Sequence, residues 1–280
     1  MSLVINTNIS SMIAQQYLGQ ATSNLQSATA QLSSGLRINK ASDDAAGLAL
    51  SQSLQSQING DNQASNNVQD GINVMNIADG ALSTIQNNLQ RMRELAVQAS
   101  NDTYSVTQRT AMQTEYNQLA SGITQISTAA QFNGISLFSA GSTLANLQIG
   151  ANTTANVDEF NVASLFTTPQ DATSLGVAAS TLSSSANAQT AITALDTAID
   201  SVSTTRANIG ASTNRLQSTA ENLTTSVTNL TASQSQILDV NVATASAKMA
   251  QQQVLQQAAV AMLTQANQSP SLALSLIKNA

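Results

Sequence analysis

The chain has 280 residues, 9 basic and 15 acidic side chains, a net charge of −6, 2% aromatic residues, and neither cysteine nor histidine. Disulfides, thiolate nucleophiles, His-based zinc sites and His-dependent acid–base chemistry are therefore excluded. The few cations are scattered, which argues against nucleic acid, because neutralising phosphates needs clustered Lys and Arg.

The first segment, Met1 to Leu36, has no charged residue, and Leu18, Leu25 and Leu32 fall seven apart with Ala21 and Ala28 three residues after the first two. That spacing keeps one seam facing a partner helix. Gly35 interrupts it, and Asp43 or Asp44 is placed to cap the next helix. A longer seam follows: Val68, Met75, Leu82, Leu89 and Ala96, joined by Ala78, Ile85, Met92 and Ala99. The spacing predicts one helix over 45–99, although Gly47, Gly60, Gly71 and Gly80 oppose it by about 1 kcal/mol each unless packing offsets them. A shorter helix is predicted over 106–130.

The middle changes character. Gln131–Ser139 and Leu147–Asn161 carry Gly, Asn and short apolar runs, which predict one or two hairpins. Helical spacing returns at Gln189, and Ile209, Leu216, Leu223, Leu230 and Ile237 form a third seven-residue seam. The final segment is free of charge from Met249 to Ile277, and Pro270 is predicted to break its helix. Its many Gln and Asn residues exclude membrane insertion, since buried amides are costly in lipid. Met1–Ile5 has no basic segment before an apolar run, so no cleaved secretory signal is expected.

The predicted fold is mainly α: a long antiparallel coiled-coil-like bundle with paired N- and C-terminal helices and a small central β-hairpin region. The predicted domains are a terminal helical domain over 1–44 plus 238–280 and a helical rod over 45–237, with the hairpin insert at about 131–185. Two uncharged helical ends imply association, because exposed apolar stripes seek partners. The ends are expected to order only on assembly, since their apolar burial in one chain is too small to offset the backbone entropy lost. Asp43 and Asp44 read as helix caps rather than a catalytic carboxylate pair, and Met12, Met75, Met92 and Met262 as gap-filling apolar residues. Ser and Thr between 143 and 205 are open to reading as glycan acceptors or as loop filler.

Several long motifs stand in order along the chain: INTNIS (5–10), LSSGLRINKASDDAAG (32–47), QRMRELAVQ (90–98), QFNG (131–134), LQIGA (147–151), RANIGASTNRL (206–216) and QANQSP (265–270) followed by LSLI (274–277). In these the sequence resembles bacterial flagellin, in a minimal form with the two inner domains and little or no outer variable domain. The resemblance implies a structural subunit, not an enzyme, with no cofactor and no metal. It implies polymerisation with copies of itself into the extracellular flagellar filament for swimming. The implied partners are the filament cap, hook-junction proteins, an export chaperone and the type III flagellar export apparatus.

The residues carrying inner-core assembly under this reading are Ile5, Ile9, Ile13, Leu18, Leu25, Leu32, Val254, Leu255, Met262, Leu263, Leu274, Leu276 and Ile277. Those of the rod seam are Val68, Met75, Leu82, Leu89, Ile209, Leu216, Leu223 and Leu230. Gln90, Arg91, Leu95 and Glu115 match positions through which many flagellins meet a vertebrate Toll-like receptor; an interface with neighbouring subunits is the favoured reading. The sequence departs from the family at Gln236, where Arg is usual, and at Asn241, Val242 and Ala245, where Asp, Tyr and Glu are common. A hook–filament junction protein is the alternative of the same architecture. An enzyme with a metalloprotease insert would need the missing His, and a surface adhesin or secreted coiled-coil effector is a third class.

Overall fold

A computed structural model describes residues 7–138, 146–154, 157–166 and 168–278, with 269–278 as backbone only. Five long helices dominate, and two compact units divide the chain: residues 1–56 with 229–280, and residues 57–228. The helices α2 (Ala45–Ala99) and α4 (Ser185–Leu238) contribute to both units.

In the first unit, α1 (Ile9–Ser34) packs on α5 (Val242–Lys278). Asn8 caps α1, its side-chain oxygen accepting from the Ser11 N–H at 3.0 Å. Gly35 ends the helix in the left-handed region at φ 73°, a conformation a side chain would strain. The pair is antiparallel: Gln256 Nε2 donates to Thr22 Oγ1 at 3.4 Å, and the Arg37 N–H donates to the Leu238 carbonyl at 2.6 Å. The α1 face towards α5 follows a strict three–four spacing through Ser11, Ala14, Leu18, Ala21, Leu25, Ala28 and Leu32. Only Ser11 and the three alanines are buried; the leucines are half-buried. On α5, Ala245 and Gln252 are buried, and Met249, Gln256, Ala259, Leu263 and Ala266 half-buried at the same spacing. Asp44 starts α2 by accepting from the Gly47 N–H at 2.9 Å, whereas Asp43 accepts from the Asn39 and Lys40 N–H groups.

One expectation fails here. Helix α5 does not break at Pro270 but continues to Lys278. Proline lacks the N–H that would serve the carbonyl four residues earlier. That carbonyl is Ala266 O, and Asn8 Nδ2 donates to it at 2.8 Å.

In the second unit the seams meet as one core. From α2 come Val68, Met75, Ala78, Leu82, Ile85, Leu89, Met92, Ala96 and Ala99. From α3 (Val106–Ala129) come Met112, Tyr116, Ala120 and Ile123, and from α4 Ala188, Leu195, Val202, Ile209, Leu216 and Leu223. Ser105 and Gln108 form a capping box at the start of α3. The buried Arg109 secures the end of α2, with Nε donating to Ala99 O at 2.9 Å and Nη2 to Asn101 O at 3.1 Å.

Two antiparallel hairpins complete the unit. Strands β1 (Gln131–Phe132) and β2 (Ile135–Ser136) turn through Asn133 and Gly134, both at positive φ as this tight turn demands. Strands β3 (Asn146–Gln148) and β4 (Glu159–Asn161) pair Leu147 with Phe160. Phe138 and Phe166 meet edge to face, with ring centroids 5.7 Å apart. The α2 glycines let the β3–β4 region approach: a Cβ on Gly60 would lie 2.7 Å from the Ala151 Cβ, and one on Gly71 would overlap the Leu147 side chain.

Candidate functional site

The assembly residues divide by exposure. Ile9, Ile13, Val254, Leu255 and Met262 are largely exposed although apolar, and Met12, Tyr17 and Val260 join them. Leu18, Leu25, Leu32 and Leu263 are half-buried in the α1–α5 seam. Ile5 lies outside the described residues, as do the side chains of Leu274, Leu276 and Ile277.

Between α1 and α5 runs an open groove of about 760 Å³. Ile13, Tyr17, Leu255, Ala258 and Met262 line it, with amides of Gln20, Asn24 and Gln265 beside them. No charged side chain lines this groove. The reason lies in the seam. Alanines at the closest positions bury little surface, and the larger apolar side chains stand on the flanks, where one chain leaves them in water. The seam positions Ser11 and Ala14 and the flanking Tyr17 were missing from the sequence-based set; extending the three–four spacing back from Leu18 finds the first two.

The rod-seam residues behave differently. Val68, Met75, Leu82, Leu89, Ile209, Leu216 and Leu223 all lie in the second unit's core. Leu230 does not; it is half-buried and belongs to the first unit, because α4 has by then left that core.

Of the four residues read as an interface between positions 90 and 115, three share an exposed surface. Gln90, Arg91 and Glu115 are exposed, and Arg91 bridges Glu94 at 3.0 Å and Glu115 at 2.8 Å. The hydrogen bonds it donates to Glu94 and Glu115 hold the Arg91 guanidinium still more firmly in its charged form. Leu95 is no part of this surface. It is 3% exposed and packs inward with the core, so it supports the helix rather than meeting a partner. Two further ion pairs join α2 to α4: Arg93 with Asp196 at 2.6 Å and Arg206 with Asp79 at 2.8 Å. Arg206 Nη1 also donates to Gln86 Oε1 at 2.7 Å. Among the described residues, no three His, Cys, Asp or Glu side chains gather as a metal cluster would require. No described helix is long and apolar enough to cross a membrane.

A terminal helix pair with an uncharged apolar groove, and a second unit whose core is built on long packed helices, define a protein of the long-helix type. Residues 5–143 match the bacterial flagellin N-terminal helical region and residues 192–277 the C-terminal helical region. The chain is 40% identical over 276 residues to a flagellin of Halalkalibacterium halodurans, covering 99% of this chain and 100% of that one. It is 38% identical over 288 residues to the flagellar filament 33 kDa core protein of Treponema phagedenis, again over 99% and 100% of the two chains. The chain belongs to the bacterial flagellin family, with only residues 144–191 between the two matched regions. A solved structure described as a flagellar hook-associated protein of Vibrio parahaemolyticus shares the fold: 16% identity, TM-score 0.54, 70% of this chain and 100% of that chain covered.

Proposed function

We propose that this chain is the structural subunit that polymerises with copies of itself into the extracellular bacterial flagellar filament. The observation that carries this reading is the α1–α5 pair, whose large apolar side chains flank an uncharged groove that one chain leaves open. Neighbouring copies would fill such faces, and a head-to-tail contact that does not close builds a filament. Uncharged faces suit that role, because burying an unpaired charge in a packed wall is costly. In this reading, residues 1–44 with 238–280 form the terminal inner-core domain and residues 45–237 the helical rod domain. The filament cap, hook-junction proteins, export chaperone and type III export apparatus handle the chain on its way out of the cell. The exposed Gln90, Arg91 and Glu115 serve contacts between subunits, with vertebrate innate immune receptors as secondary partners of the released monomer.

The test is Leu25→Asp. A carboxylate in the half-buried seam should permit export of the chain but block polymerisation, read by electron microscopy of the secreted protein. Normal filaments from that variant would refute the assignment. A hook–filament junction protein is the second reading, favoured only by the shared fold noted above. Quantifying the chain per cell separates the two: a filament subunit is made in bulk, a junction protein in few copies.

A further inference from the structure

The methionines of the described residues segregate by unit. Met75 and Met92 are fully buried and Met112 is 9% exposed, all in the second unit. Met12 is 61% exposed, Met262 is 64% exposed and Met249 is half-buried, all in the first. Met262 lines the α1–α5 groove with Ile13, Tyr17 and Leu255. With no cysteine in the chain, methionine thioethers are its only oxidisable sulfur.

We infer that Met12 and Met262 are two reversible oxidation sites for two-electron oxidants of the peroxide class, which alter the terminal helix pair and spare the second unit's core. In the reaction the thioether sulfur attacks one oxygen of hydrogen peroxide. The S–O bond forms, the O–O bond breaks, and the departing hydroxide takes a proton to leave as water. Sulfur is oxidised to the sulfoxide and the peroxide is reduced. The core methionines escape because the attacking sulfur must reach the oxidant, and theirs are sealed by packing. Each exposed sulfoxide turns a flexible apolar side chain into a polar, chiral one. At Met262 the new polar group stands beside Ile13, Tyr17 and Leu255, where it opposes the seating of an apolar partner face. The effect on polymerisation rests on the filament reading above; the selectivity of oxidation does not.

Two measurements on the full-length purified chain test this. Hydrogen peroxide is applied, and sulfoxide at each methionine is followed by peptide mass spectrometry. Oxidation at Met12 and Met262 should run at least roughly tenfold faster than at Met75 and Met92, with Met249 between. The oxidised chain should lose polymerisation and regain it after treatment with the paired methionine sulfoxide reductases. Whatever polymerisation a chain with Met12→Leu and Met262→Leu together shows before peroxide, it should show equally after it. Equal rates at all methionines would overturn the inference, as would polymerisation undiminished after full oxidation of Met12 and Met262. If the reduced chain forms no filaments, the filament reading fails, and the oxidation sites stand or fall on the rates.

Discussion

Asn8 and Ala266 close two helix defects with one side chain. The Asn8 side-chain Oδ1 caps α1 by accepting from the Ser11 N–H, while its Nδ2 donates at 2.8 Å to the Ala266 carbonyl that Pro270 leaves without its helical donor. Asn8→Ala should lose both, at about 0.5–2 kcal/mol for the cap alone. Asn8→Asp keeps the cap acceptor and loses only the donor. Amide hydrogen exchange should then show α1 fraying at its start in the Ala variant, and α5 opening around Ala266 in both.

Gly71 and Gly80 should respond to alanine with opposite signs. A methyl at Gly71 overlaps the Leu147 side chain and comes within 3.3 Å of Leu216, so Gly71→Ala should destabilise the second unit by about 1–3 kcal/mol. At Gly80 nothing lies within 4 Å, so Gly80→Ala should stabilise by up to about 1 kcal/mol through helix propensity. Denaturant unfolding of the two variants checks both signs.

Tyr116 makes the second unit sensitive to alkali. Burial raises its phenol above the ordinary value of 10.0, only partly opposed by a hydrogen bond with Ser180. The unfolded chain therefore ionises first. The tyrosine's contribution is intact below pH 10 and drains away as pH climbs from there through the raised folded value. Tyr116→Phe should flatten that alkaline decline. At neutral pH it should cost about 0.5–1.5 kcal/mol for the lost bond from the hydroxyl to Val177 O. Thermal unfolding across the alkaline range reads both effects.

The terminal helices should be the most easily digested part of the free chain. Their seam buries alanines and leaves Ile13, Leu255 and Met262 in contact with water, so little apolar burial opposes opening. A protease that cuts after large apolar residues should cleave within 1–36 rapidly in dilute protein and slowly in polymer. Equal protection in both states would show that the ends are stable alone.

Much of the secondary structure was legible. The predicted helix over 45–99 matches α2 residue for residue, α1 ends where Gly35 was read as an interruption, and both hairpins fall where Gly and Asn cluster. Seven-residue spacing of large apolar residues reports burial faithfully when several helices surround it, as at Met75 and Leu82. It was less faithful in α1. There Leu18, Leu25 and Leu32 are half-buried and the alanines make the closest approach, because two helices alone leave the sides of large residues open. Leu95 misled for a related reason: a short motif does not say which of its members faces inward.

By itself the sequence determined the helices, their seams and the absence of charge at both ends, since periodicity and composition are local properties. Only the tertiary structure decided that Pro270 is tolerated, that Gly60 and Gly71 are filled by a hairpin, and which apolar side chains stay in water. Each depends on a group distant in sequence—Asn8, Ala151, Leu147—arriving at a distance that no local pattern encodes.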